Sequence, residues 1–175
     1  MTAKNYNVRT IAEETYITPQ WLITALKNVR GEMFDLDPCC PPNMPWKTAK
    51  KMLTKETDGL ATQWNPSDSV WMNPPYGKET QKWMKKLSEH KGGGIALIFA
   101  RTDMQWFHDY VFNRAEAMFF LKGRITFAYP DGKSCAGNAP APSVLVAYKK
   151  DCAAQLALFS RIHKDKGAFQ WTTLR

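Results

Sequence analysis

The sequence is poor in the residues that build metal centres and disulfide frameworks. It holds four cysteines (Cys39, Cys40, Cys135, Cys152) and three histidines (His90, His108, His163), with no C-x-x-C or H-x-x-x-H spacing among them. That pattern argues against a zinc site and a disulfide scaffold, and it fits free thiols in cytosol. No window carries the roughly 18 continuous apolar residues of a membrane span. The opening stretch MTAKNYNVRTIAEETY lacks the apolar core of a secretory signal. The expectation is a soluble protein that stays in the cytoplasm where it is made, with no membrane and no metal. Repeats, low-complexity tracts and long linkers are also missing. Acid is scarcer than base: 16 Asp and Glu against 24 Lys and Arg leave a net charge of +8, a balance that favours an anionic partner such as nucleic acid.

What is present suits one globular domain over residues 1–175, opening on a polar leader of residues 1–17. The chain has 175 residues, 44% of them hydrophobic, and a single domain usually holds about 100 to 200. Thr18-Pro19 reads as a helix start, Thr capping free amides and Pro preset for the first turn, with the helix running to about Val29 and Gly31 ending it. MFDLDP (33–38) is a short strand stopped by Pro38, KTAKKMLTKE (47–56) has helical character, and SVWM (69–72) is a strand. A helix is expected over 78–90 with Trp83, Met84 and Leu87 turned inward, and a buried strand over 92–100. Another helix is expected over 103–112, strands over 117–121, 124–127 and 143–148, and a last helix over 152–163. Strand and helix alternate, and the strands are apolar enough to be covered on both faces, so the fold class is α/β with a sheet parallel at least in its middle. Such sheets bind ligands beyond the carboxyl ends of their strands.

NPPYG, residues 73–77, stands at one of those ends. Pro74 holds Asn73 extended, two prolines cannot continue the ladder, and Gly77 permits the turn into the next helix. Asn73 and Tyr76 are therefore held on a stiff loop, as chemistry that needs reacting atoms fixed in place requires. An amide oxygen plus a peptide carbonyl can accept both hydrogens of a planar NH2 group, while a phenol ring offers a flat face for stacking. Accepting those hydrogens draws the nitrogen lone pair out of conjugation, so no catalytic base of unusual pKa is needed. An ordinary turn is the competing reading of N-P-P; the strand before it, the helix after it and a second, acidic strand end at Asp37 favour the active-site reading.

NPPY after a strand resembles the catalytic motif of amino-methyltransferases that use S-adenosylmethionine. Residues 15–150 are similar to the phage-type DNA N6-adenine methyltransferases, through TPQWL, FDLDPC, DGL followed by W, VWMNPPYG, ALIFARTD, QWFH, GRITF and PAPSVLVAY in that order. The resemblance implies a Rossmann-like methyltransferase sheet that transfers a methyl group from S-adenosylmethionine to the N6 amino group of a flipped adenine in DNA. It implies that Asn73 with the Pro74 carbonyl holds the amino group and that Tyr76 stacks on the base. It assigns Asp37, with Pro38 at the same strand end, to the methionine or ribose part of the cofactor, Thr18 and Pro19 to its methionine end, and Asp58 to its adenine or ribose.

The sequence also departs from that family's pattern. FDLDP is followed by CCPPNMP and no G-x-G, so the glycine-rich cofactor loop is missing. The stretch between Asp37 and Asn73 is too short for two complete strand-helix units. A reduced, mostly parallel sheet is therefore expected, the Asp37 strand beside the NPPY strand and then the 95–100 strand, with the 143–148 strand antiparallel near one edge. Lys78, Arg101, Lys122 and Arg124 are candidate DNA contacts, whereas Lys82, Lys85 and Lys86 read as a solvated helix face. Loop 130–142 can touch DNA or close over the site. Six tryptophans (Trp21, Trp46, Trp64, Trp71, Trp83, Trp106) read as core or pocket wall, with Trp46 or Trp64 able to stack on the cofactor's adenine. Two alternatives remain: a methyltransferase for another amine (RNA guanine, DNA cytosine or protein glutamine), and a non-catalytic nucleic-acid binding module.

Overall fold

The structure is a computed structural model that describes residues 16–172. The polar leader lies outside the described residues except for Tyr16 and Ile17, and Ile17 is buried and bridged to Ala128. In chain order the main elements are α1 (Gln20–Arg30), β1 (Phe34–Asp37), β2 (Ala49–Met52), β3 (Val70–Met72), α2 (Thr80–Glu89) and β4 (Gly94–Phe99). There follow α3 (Gln105–Phe107), running into a π-helical turn at His108–Phe112, then β5 (Ala117–Leu121), β6 (Ser143–Tyr148), α4 (Lys150–Ile162) and β7 (Gly167–Trp171).

Among the described residues the strands form a seven-stranded sheet in the order β2-β1-β3-β4-β6-β5-β7. The first four are parallel, with Leu36 opposite Val70 and Met72 opposite Ala96. The last three alternate, beginning with β6 antiparallel along the whole of β4. The expected neighbours of the Asp37 strand and the expected direction of 143–148 are present. The antiparallel part is larger than expected, because β7 pairs with β5 and leaves β6 third from the edge.

Alternation along the central strands divides the core into two layers. Ile95, Leu97 and Phe99 of β4 join Leu145 and Ala147 of β6 under α1 and α4, where Leu22, Leu26, Leu156 and Phe159 pack. Ala96, Ile98, Val144 and Val146 face the other side, where Trp83, Met84 and Leu87 of α2 meet Phe107 and Val111. Helices on both faces explain why these strands are apolar throughout.

Several sequence expectations are corrected. Residues 47–56 give no α-helix but strand β2, in which Ala49 is buried and Lys50 and Lys51 are exposed. Tertiary pairing with β1 overrides the helical propensity of the lysines, and lysines suit an edge strand. Residues 124–127 form no ladder. The carbonyls of Ile125 and Phe127 accept the N–H groups of Ala139 and Cys135 at 2.7 and 2.8 Å, two separate bonds that are not continued into a ladder; Pro140, next along the facing segment, has no N–H to donate. Thr18 does not cap α1: Pro19, extended at ψ 140°, is the capping residue and makes no side-chain cap. Gly31 ends the helix at φ 79° as expected. Trp21 is 43% exposed rather than core.

Candidate active site

Because β1 and β3 are parallel neighbours, Asp37 and Asn73 leave the sheet at the same carboxyl edge. The tip of β1 is fixed from within. Asp37 is 3% exposed; its Oδ1 accepts the Cys39 N–H at 3.2 Å and its Oδ2 accepts the Thr48 hydroxyl at 2.5 Å. Burial pushes its pKa up to about 6, against the opposing pull of those two hydrogen bonds. The Cys39 thiol is raised well above the ordinary value by burial and then by Asp37, against a smaller opposing pull from the Asn73 main chain.

The NPPY turn is held just as firmly. Asn73 Nδ2 donates to the Tyr16 carbonyl at 2.7 Å, and the Tyr76 hydroxyl donates to Asn73 Oδ1 at 2.9 Å. Thr80, in the first turn of α2, donates to the Pro75 carbonyl at 2.8 Å and accepts the Gly77 N–H at 3.1 Å. Tyr76 lies flat on Phe99, the ring centroids 3.8 Å apart and the planes 16° from parallel. Tyr16 presents an edge to Tyr76 at 5.5 Å, and Phe127 packs against Tyr16 at 4.9 Å. Burial keeps the Tyr76 phenol neutral by raising its pKa well above the ordinary value.

The structure thus brings together Asp37, Pro38, Asn73, Pro74, Tyr76 and, through the segment beginning at Tyr16, the buried pair Thr18 and Pro19. Asp58 stands on a neighbouring loop. It adopts φ 46°, and its Oδ1 accepts the N–H groups of Leu60 and Ala61 at 3.1 and 3.2 Å. Gly59 beside it lies so near β1 that a side chain there would meet the Pro38 carbonyl oxygen at 1.8 Å. Lys78, Arg101, Lys122 and Arg124 are exposed. Arg101 follows β4 and Lys122 follows β5, so both stand at the carboxyl edge; Arg124 reaches the Ala139 carbonyl at 3.2 Å. Loop 130–142 crosses to the proline-rich segment, where a side chain on Gly132 would lie 3.7 Å from the Trp46 ring.

Sequence reasoning missed Tyr16, Thr48, Phe99 and Phe127. Tyr16 and Phe99 carry a positional signal, two residues before Thr18-Pro19 and at the end of the most apolar strand. Nothing marks Thr48 before the fold is known. Trp64 proves not to be a free platform: it is 5% exposed, and its Nε1 donates to the Gly59 carbonyl at 2.9 Å. Among the described residues no cluster of His, Cys, Asp or Glu could hold a metal ion, and no helix is long and apolar enough to cross a membrane.

The site is thus a stiff amide-and-phenol corner beside a buried acidic strand tip. The family model described as DNA N-6-adenine-methyltransferase (Dam) matches residues 6–168, and the chain belongs to that family. It is also similar to a protein of Escherichia phage T1 named DNA N-6-adenine-methyltransferase, 28% identical over 116 residues, which are 65% of this chain and 47% of the phage protein. The chain therefore spans about half the length of the curated relative it matches. No solved structure matches it.

Proposed function

We propose that this chain methylates the N6 amino group of adenine in DNA, using S-adenosylmethionine in a Rossmann-like sheet. The observation that carries the reading is the shared carboxyl edge of Asp37 and Asn73, in a member of an adenine-methyltransferase family.

The residues at that edge fit the cofactor. Asp37 spends one lone pair of each oxygen on Cys39 and Thr48 and keeps others for a hydroxyl or ammonium group. Pro38, Thr18 and Pro19 give the methionine side a stiff wall, and Asp58 offers its free oxygen to the ribose or adenine. When bound, S-adenosylmethionine supplies an electrophilic methyl carbon.

The protein's own groups act on the base. Adenine is extruded from the duplex at a cost of a few kcal/mol, and stacking on Tyr76 returns about 1 to 3 kcal/mol of that. Asn73 Oδ1 and the Pro74 carbonyl would accept the two N6 hydrogens, which localises the nitrogen lone pair for attack; as the N–C bond forms the methyl–sulfur bond breaks, S-adenosylhomocysteine is left, and the surplus proton departs to solvent. Since Tyr16 holds the Asn73 NH2 group, the carboxamide cannot turn its donor side toward the amine. Lys78, Arg101, Lys122 and Arg124 supply phosphate contacts. Calorimetry with S-adenosylhomocysteine tests the reading: binding heat is expected, and its absence would favour a nucleic-acid binding module.

A further inference from the structure

Lys86 departs from the solvated face expected of its helix. Its ammonium turns back from α2 and donates to three main-chain carbonyls, Leu60 and Thr62 at 2.6 Å and Gly59 at 3.0 Å. A lysine has three N–H donors, so all are used by one loop. The same ammonium stands 4.6 Å from the centre of the Trp64 ring, and Trp64 Nε1 shares the Gly59 carbonyl. Neighbours on the helix behave differently: Lys85 is exposed, and Lys82 pairs with Glu79 at 3.0 Å.

The caged loop is the one that bears Asp58. Its amides turn inward onto Asp58 Oδ1, its carbonyls turn onto Lys86, and its Gly59 abuts the Pro38 carbonyl next to Asp37. Three carbonyl dipoles pointing into one volume repel one another unless a cation lies among them. Burial lowers the Lys86 pKa while the Asp58 charge pulls it up, so the two residues act on one another as well as through the loop.

We propose that Lys86 is a positioning residue for the cofactor: its ammonium, caged by the Gly59, Leu60 and Thr62 carbonyls, holds the Asp58 loop against the tip of β1 in the form that binds S-adenosylmethionine. The inference rests on the proposed cofactor pocket and adds to it a residue that touches neither cofactor nor base. K86M keeps the aliphatic stem and removes the cation. It should weaken S-adenosylhomocysteine binding in calorimetry by roughly tenfold and raise KM for S-adenosylmethionine to the same degree, with kcat at saturating cofactor and KM for DNA within about twofold of wild type. K85M, which removes an exposed cation from the same helix, should change neither cofactor constant.

An unchanged cofactor affinity in K86M overturns the proposal, as does a rise in the KM for DNA alone, which would make Lys86 a phosphate contact. A fall in kcat without a change in cofactor KM also overturns it. Should K86M fail to fold, hydrogen exchange on the wild-type protein decides: S-adenosylhomocysteine should slow the amides of residues 58–64, and binding that leaves them unchanged contradicts the proposal. A wild-type protein that binds no S-adenosylhomocysteine at all defeats the proposed function instead.

Discussion

The hydroxyl of Tyr76 donates a hydrogen bond to the side-chain oxygen of Asn73 at 2.9 Å. One lone pair of that oxygen is thus engaged and a second stays available, while Phe99 covers one face of the phenol ring at 3.8 Å and Tyr16 and Phe127 pack at its sides. In the proposed function an incoming amine shares the Asn73 oxygen with the Tyr76 hydroxyl or displaces it.

Tyr76 therefore has two separable contributions, the ring and the hydroxyl. Y76F keeps the ring and frees the Asn73 oxygen, and its kcat/KM for DNA is expected within about threefold of wild type. Y76A loses the stacking surface, worth about 1 to 3 kcal/mol, and kcat/KM should fall roughly 5- to 150-fold. Steady-state kinetics on one duplex substrate checks both; equal losses in the two variants would assign the role to the hydroxyl.

Asp37 sets a pH dependence of stability. Its pKa in the fold is about 6 against an ordinary 3.8, so the folded protein holds this proton more tightly than the unfolded chain. The stabilising contribution is complete below about pH 4 and is lost as the pH rises through 6, a change on the order of 3 kcal/mol. D37N removes the titration. Between pH 4 and pH 7 the unfolding free energy of wild type should fall relative to that of D37N by that order. Parallel urea-unfolding profiles of the two proteins would contradict the burial argument.

Gly59 should tolerate no side chain. In G59A the new carbon meets the Pro38 carbonyl oxygen at 1.8 Å, and backbone cannot give way as a flexible side chain can. A loss of about 1 to 3 kcal/mol is expected, read as a lower unfolding midpoint. G137A is the control: nothing lies within 4 Å of a side chain there, and its effect should stay within about 0.5 kcal/mol.

Much of this architecture could be read before the fold was known, because its signals are local. Pro74 and Pro75 stop β3 whatever surrounds them, and the apolar run of β4 must be covered on both faces wherever it lies. The short stretch between Asp37 and Asn73 made those two strands neighbours. The failures were tertiary in origin. Residues 49–52 become a strand because β1 offers an open edge, and residues 167–171 because β5 does; neither segment announces that partner. Lys86 was misread for the same reason: helical spacing gives a residue's face but not the loop that comes to meet it. The aromatic closure of Tyr76 by Phe99, Tyr16 and Phe127 joins segments far apart in sequence.

In the proposed reaction Asn73 and Tyr76 present an adenine N6 for methylation. Wild type and N73A are incubated with S-adenosylmethionine carrying a labelled methyl group and an adenine-containing duplex, and the DNA is digested to nucleosides. Label is expected in N6-methyladenine alone, with N73A reducing it by about a hundredfold or more while still binding S-adenosylhomocysteine. Label in any other nucleoside, none from wild type, or normal turnover by N73A would contradict the account.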